Sequence, residues 1–196
     1  MQSFHLSFII DWKGKGNKRM LKKVVDIAHE ILAEGVDEQS VAVDFTCGGG
    51  HDSLFLSKYV SFVYSYDIQK EALDDAKKLC SQVSNIKFHH KSHLYFDEDV
   101  EHFDRGIFNL GYYPKGNRNI ITNANEVLLT IKKAVEKLNH GGKIVIVCYP
   151  GFESGKLEAE QIEKELASFE SKFYDIYRFG LLNRHLAPYI IGIEKH

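Results

Sequence analysis

Residues 41 to 53 read V-A-V-D-F-T-C-G-G-G-H-D-S, a short apolar run carrying an acid, then three glycines, then polar residues that open a helical pattern. Strand, bare turn and helix in that order make the first unit of an α/β sheet. The alternation continues on both sides. Leu21, Val24, Val25, Ala28, Ile31 and Leu32 recur at helical spacing, with Gly35 as the stop. A strand follows at about 41–46, a helix from His51 to Tyr59, and a second strand from Phe62 to Asp67. Ala72, Leu73, Ala76, Leu79 and Cys80 form one face of the next helix, and Ile86 to His89 reads as a short strand. Arg105 to Leu110 is apolar and brief, as buried parallel strands are. Ala124, Val127, Leu128, Ile131, Ala134, Val135 and Leu138 outline a long amphipathic helix closed by Gly141 and Gly142. Lys143 to Cys148 is the plainest central strand, and about 157–169 is the last helix. Tyr174 to Phe179 and Tyr189 to Glu194 have no helix between them, so they predict an antiparallel pair at one sheet edge. The expected fold is α/β: a mostly parallel seven-stranded sheet with a C-terminal antiparallel hairpin and helices on both faces. No repeat, low-complexity tract or linker divides the chain. Residues 1–196 therefore read as one domain, with about 1–35 as an N-terminal arm and helix.

Composition narrows the function classes. No apolar stretch approaches the roughly 20 residues that span a bilayer, and the first residues lack the pattern of a secretory leader, so a cytoplasmic protein with no membrane partner is expected. Cys47, Cys80 and Cys148 are three and far apart, which suggests reduced thiols and neither a disulfide framework nor a zinc site. A net charge of -2 argues against nucleic-acid binding through overall charge. Local patches remain: Lys13, Lys15, Lys18, Arg19, Lys22 and Lys23 follow one another with no acid among them, a solvated segment or a phosphate-contacting arm. His89, His90 and His93 invite a metal, but a strand and loop at that spacing do not converge as ligands, and no metal is expected.

In an open α/β sheet, ligands bind beyond the carboxyl ends of the strands. Gly48, Gly49 and Gly50 lie there, followed by the unpaired N–H groups of a helix start. Asp67 ends the second strand 19 residues after Gly48, near the spacing of about 20 at which an acid meets ribose hydroxyls. Glycine loop and acid together point to a nucleoside-bearing ligand. Nicotinamide enzymes carry a third glycine where Ser53 stands. Asp44, four residues before Gly48, instead gives the V-D-x-x-x-G-x-G pattern that S-adenosylmethionine methyltransferases resemble. An acid there suits a cationic ligand, engaging its ammonium group directly or through water, and does not suit a diphosphate.

The loop after the fourth strand reads F-N-L-G-Y-Y-P-K-G-N, Phe108 to Asn117. Asn109 to Tyr112, N-L-G-Y, looks like a variant of the N-P-P-Y motif of enzymes that methylate base nitrogens. Asn109 and Tyr112 are the catalytic candidates, the amide oxygen orienting an amine and the ring holding a base. A neutral amine needs no strong general base, because it can lose its proton after transfer. Ser92 and His93 are placed to border the adenine or the acceptor.

Taken together, these residues resemble the MnmM (YtqB-like) family of small bacterial methyltransferases, first described as rRNA methylases. The resemblance runs through D-F-T-C-G-G-G-H-D-S at Asp44 to Ser53, D-I-Q at Asp67 to Gln69, S-H at Ser92 and His93, N-L-G-Y, Y-P-G at Tyr149 to Gly151, and I-E-K at Ile193 to Lys195. It covers nearly the whole chain after about residue 20. It implies a Rossmann-like class I methyltransferase with S-adenosyl-L-methionine as cofactor, held by Asp44, Thr46, Cys47, Gly48, Gly49, Gly50, His51, Asp52, Asp67, Ile68, Gln69, Ser92, His93, Asn109, Leu110 and Gly111. It also implies methyl transfer to the aminomethyl nitrogen at position 5 of the wobble uridine, in the anticodon stem-loop of tRNA, giving 5-methylaminomethyl-2-thiouridine. Gly49, Phe45 and the run Tyr113 to Gly116 depart from the family pattern. Lys115, Arg118, Arg178 and Arg184, with the basic arm, are the expected phosphate contacts. The same chemistry on rRNA or another amine, a nicotinamide oxidoreductase and a non-catalytic binding module are the alternatives. The sequence leaves a homodimer open.

Overall fold

The structure, a computed structural model, describes residues 21–111 and 124–196. The basic arm at Lys13 to Arg19, together with Tyr112, Lys115 and Arg118, lies outside the described residues. In chain order the elements are α1 (Val24–Ala33), β1 (Val41–Asp44), α2 (His51–Leu56), β2 (Phe62–Asp67), α3 (Lys70–Leu79), β3 (Ile86–His90), a 3₁₀ helix (His93–Glu98), β4 (Phe103–Asn109), α4 (Ala124–Lys137), β5 (Leu138–Cys148), α5 (Glu153–Leu166), β6 (Tyr174–Phe179) and β7 (Tyr189–Lys195). All seven strands join one sheet in the order β3-β2-β1-β4-β5-β7-β6. The first five run parallel, and β7 pairs antiparallel with both β5 and β6, as the missing helix between the last two strands predicts.

Both sheet faces are covered, which is why β1 and β5 are apolar on successive residues rather than alternately. Ala42, Val63, Ile107, Val145, Val147 and Ile190 pack against Ile27, Ala28 and Leu32 of α1 and Leu56 of α2. Val43, Tyr66, Phe108, Ile144, Ile146 and Cys148 face α4, α5 and the 3₁₀ helix. Phe45 stacks on Phe108 with ring centroids 4.2 Å apart and meets Phe96 and Phe103 edge-on, so the residue that follows β1 closes an aromatic core. The three thiols are all buried, Cys47 against Leu73 and Ala76 and Cys148 in the opposite core.

Of the boundaries that differ from the sequence reading, three have a local reason. β4 begins at Phe103, two residues early, because Phe103 pairs with Leu138 across a register shift. The expected helix stop at Gly141 and Gly142 is an irregular entry into β5, with Gly141 at φ +75°. α5 starts at Glu153 rather than near 157, although Gly155 weakens a helix. A Cβ at Gly155 would lie 2.3 Å from the carbonyl oxygen of Tyr149, so only glycine lets the helix begin this close to the end of β5.

Candidate functional site

The strand order reverses between β1 and β4, whose following helices go to opposite faces, and ligands of open α/β sheets settle in the crevice this creates. Asp44 ends β1, Asp67 ends β2 and Asn109 ends β4, so the three candidates share one rim. The glycine loop is held from both sides. Asp67 accepts the Gly48 N–H at 2.8 Å through one carboxylate oxygen and the Gln69 N–H at 2.8 Å through the other. Gly50 sits at φ +83°, and a Cβ there would come within 2.8 Å of Ala76, so the turn needs glycine for conformation and for helix contact. Ile68 leaves an apolar side chain 52% exposed beside Asp67, a surface for a flat ring. Gly49 and His51 are open to the rim.

Asp44 is fully buried beneath the loop, where it accepts the Ser53 hydroxyl at 2.5 Å and the Thr46 N–H at 3.1 Å. Burial, and next the neighbouring charge of Asp52, push its carboxyl up to about 8. This placement corrects the direct one of the two expected modes, direct or through water, of meeting a ligand ammonium: the Asp44 side chain has no surface, and its contacts here fix the loop. Cys47 and Leu110 turn their side chains into the core, so only their backbone belongs to the rim. His93 is displaced likewise. Its Nδ1 donates to the Thr130 hydroxyl at 2.8 Å, its ring meets Phe108 edge-on, and burial pushes it down to about 4, which makes it a neutral tie between the 3₁₀ helix and α4. Ser92 caps that 3₁₀ helix by accepting the Leu94 N–H. His89 faces Asp99 and His90 donates to the Ile68 carbonyl, so the three histidines part toward different partners.

On the acceptor side, the Asn109 N–H donates to the Thr46 hydroxyl at 2.7 Å, tying the loops after β1 and β4 together. The Asn109 side chain is held at both ends: its Nδ2 donates to Asp52 Oδ2 at 2.9 Å, and its Oδ1 accepts the Tyr149 hydroxyl at 2.8 Å. Burial and then Asp52 push the Tyr149 phenol up to about 12, so it stays a donor at neutral pH. The other oxygen of Asp52 lies 2.6 Å from Nε2 of His29 on α1, and the His29 ring stacks on Phe55 at 3.9 Å. Gly111 lies beside the Tyr149 ring, where a Cβ would make an ordinary contact at 3.6 Å. His29 was not legible as a site residue; Thr46 was expected at the cofactor, though not as the tie to Asn109, and Tyr149 showed only as part of Y-P-G.

Arg178 has partners within the fold: its guanidinium pairs with Glu163 at 3.1 Å and lies 3.9 Å over the Tyr189 ring, with its side chain still 57% exposed. Arg184 stands exposed in the β6–β7 turn, and the neighbouring Leu186 carbonyl is 3.7 Å from where a Gly151 Cβ would be, beside the end of β5.

The family model described as "Putative rRNA methylase" matches residues 63–194. The Arabidopsis thaliana protein named tRNA (mnm(5)s(2)U34)-methyltransferase, chloroplastic, is 32% identical over 191 residues, covering 89% of this chain and 70% of that protein. The chain belongs to this rRNA methylase family. Solved structures agree on the architecture. A "putative methyltransferase" from Streptococcus mutans, in complex with SAH, superposes with TM-score 0.84 at 30% identity over 90% of this chain and 100% of that one. An rRNA methylase from Streptococcus thermophilus gives 0.78 at 26% identity, over 90% and 99%.

This rRNA methylase family member is an S-adenosylmethionine-dependent methyltransferase with a Rossmann-like fold. The rim is compatible with such a cofactor: Asp67 ends β2 against the glycine loop, Ile68 leaves an exposed apolar side chain beside it, and the segment 41–53 carries no Lys or Arg. Among the described residues, no helix is long and apolar enough to cross a membrane.

Proposed function

We propose that the protein methylates the aminomethyl nitrogen at position 5 of the wobble uridine of tRNA, giving 5-methylaminomethyl-2-thiouridine. The observation that carries this reading is the pair at the acceptor rim, the Asn109 amide and the Tyr149 hydroxyl, neutral hydrogen-bonding groups joined at 2.8 Å. An amine nucleophile needs orientation more than a strong base, and these groups supply it. The name of the 32% identical relative supports the same substrate.

S-adenosylmethionine supplies an electrophilic methyl group on a sulfonium. Asp67 would hold its ribose, while the Gly48–Gly50 backbone gives it room. Asn109 keeps one lone pair of Oδ1 for an N–H of the acceptor amine, which then points its own lone pair along the line of attack. The nitrogen forms the new C–N bond as the S–C bond breaks, and the extra proton leaves to solvent. Arg184, with Lys115, Arg118 and the basic arm at Lys13, Lys15, Lys18 and Arg19, is assigned to phosphates of the anticodon stem-loop. The base would be extruded to reach the rim.

The test is incubation with S-adenosylmethionine and tRNA from a strain lacking this methylation, followed by nucleoside mass spectrometry. Conversion of the 5-aminomethyl nucleoside to its N-methyl form is expected, with Asn109→Ala lowering turnover about 100-fold at unchanged cofactor affinity. Asn109→Ala with full turnover would remove the acceptor role. The family description favours one second reading, the same chemistry on rRNA. Labelling confined to rRNA would establish it.

A further inference from the structure

We infer that His29 and Asp52 are positioning residues that set which way round the Asn109 amide stands, and so present its oxygen to the methyl acceptor. The inference rests on the proposed placement of Asn109 against the acceptor amine. An asparagine amide has two ends of similar shape and opposite chemistry, and its orientation follows from its partners. A carboxylate only accepts. Asp52 Oδ2, 2.9 Å away, therefore compels Nδ2 to face it, and Oδ1 is left for the Tyr149 hydroxyl and the rim. A flipped amide would set oxygen against oxygen at the Asp52 end, while the Tyr149 hydroxyl, which can donate or accept, suits either orientation, so Asp52 makes the choice.

Asp52 in turn needs an anchor. Its side chain is 7% exposed, and a carboxylate so buried is costly unless its oxygens are hydrogen-bonded. His29 Nε2 donates to its second oxygen at 2.6 Å, and the imidazole is fixed flat on Phe55, with an interplanar angle of 8°. The chain of contacts crosses 23 residues from α1 to α2 and 57 more to the end of β4, so nothing local to Asn109 requires it. Burying a carboxylate against a histidine is a weak way to gain stability, and apolar residues would fill the same space at lower cost. What the pair supplies is direction.

His29→Phe removes the donor and keeps the stacking surface, while His29→Gln restores an N–H. Single-turnover methylation of the aminomethyl tRNA and calorimetric binding of S-adenosylhomocysteine are measured for these, for Asn109→Ala and for the double variant. His29→Phe is expected to slow turnover about 10- to 100-fold with unchanged S-adenosylhomocysteine affinity, and His29→Gln to recover most of it. In the Asn109→Ala background, His29→Phe should cost nothing further, because it acts through the absent amide. Unchanged turnover in His29→Phe, or an equal loss in both backgrounds, would overturn the inference. A second readout needs no substrate. The Asn109 side-chain amide hydrogens, assigned by their loss in Asn109→Ala, should exchange about tenfold faster in His29→Phe than in the wild type. If the wild type leaves the tRNA unmethylated, the substrate reading fails by itself; equal exchange rates would then dispose of the positioning pair.

Discussion

Asp67 commits each carboxylate oxygen to a backbone N–H, one in the glycine loop and one after β2, and each oxygen has a further lone pair with which to accept. A charge-assisted bond of this kind contributes about 1.5–3 kcal/mol. Asp67→Ala should therefore weaken S-adenosylhomocysteine binding roughly 10- to 100-fold by calorimetry, with Asp67→Asn between the two because one acceptor oxygen survives. Asp67 and Gly48 were legible because their separation of 19 residues reflects a strand–turn–helix–strand unit of nearly fixed length. His29 was not. It looks like one more residue of an amphipathic helix, and its partner lies 23 positions away with no periodicity to announce it. His93 was misjudged for the opposite reason: proximity in sequence to the third strand's end suggested the rim, while burial against Thr130 and Phe108 decides its role.

At the scale of elements, α1 is tied to the sheet by a buried arginine. Arg105 of β4 is 4% exposed and donates to the carbonyls of Leu32 and Glu34 at the end of α1, at 3.1 and 2.6 Å, and to that of Asp104 at 2.8 Å. These groups serve as a C-terminal cap supplied from another strand. Arg105→Met keeps the volume and orphans the carbonyls, so a loss of about 2–4 kcal/mol in urea unfolding is expected. The helices and strands themselves were readable from apolar spacing, to within a few residues at most ends. The starts of β4 and α5 were not, since a register shift and a glycine required by the Tyr149 carbonyl are tertiary facts.

For the whole molecule, buried ionisable groups set how stability varies with pH. His93, pushed down to about 4, is protonated in the unfolded chain and neutral in the folded one between about pH 4 and 6.5, so its contribution rises with pH there. Asp44, raised to about 8, and Glu158, raised to about 7 by burial, bind protons preferentially in the folded state, so stability falls as pH climbs from their unfolded values toward those limits. Above pH 6.5 only the falling contributions of these three remain. Thermal melts should therefore show the midpoint dropping from pH 6.5 to 8, and Asp44→Asn should flatten that drop; an unchanged slope would contradict the assignment. The mostly parallel sheet with its antiparallel edge could be derived from element order, because a missing crossover helix permits no other simple connection. Which side chains reach the rim depended on burial, which one strand's pattern does not determine when both of its faces are covered.

The three thiols, all buried, have a practical consequence. Cys47, Cys80 and Cys148 are each raised by burial, Cys148 to about 12, so they are poor nucleophiles as well as inaccessible ones. Among the described residues, a cysteine introduced in the exposed β6–β7 turn would be the one fast-reacting thiol. A fluorophore or spin label then needs no prior removal of native cysteines, and its rate of attachment with and without RNA would report whether that turn is covered.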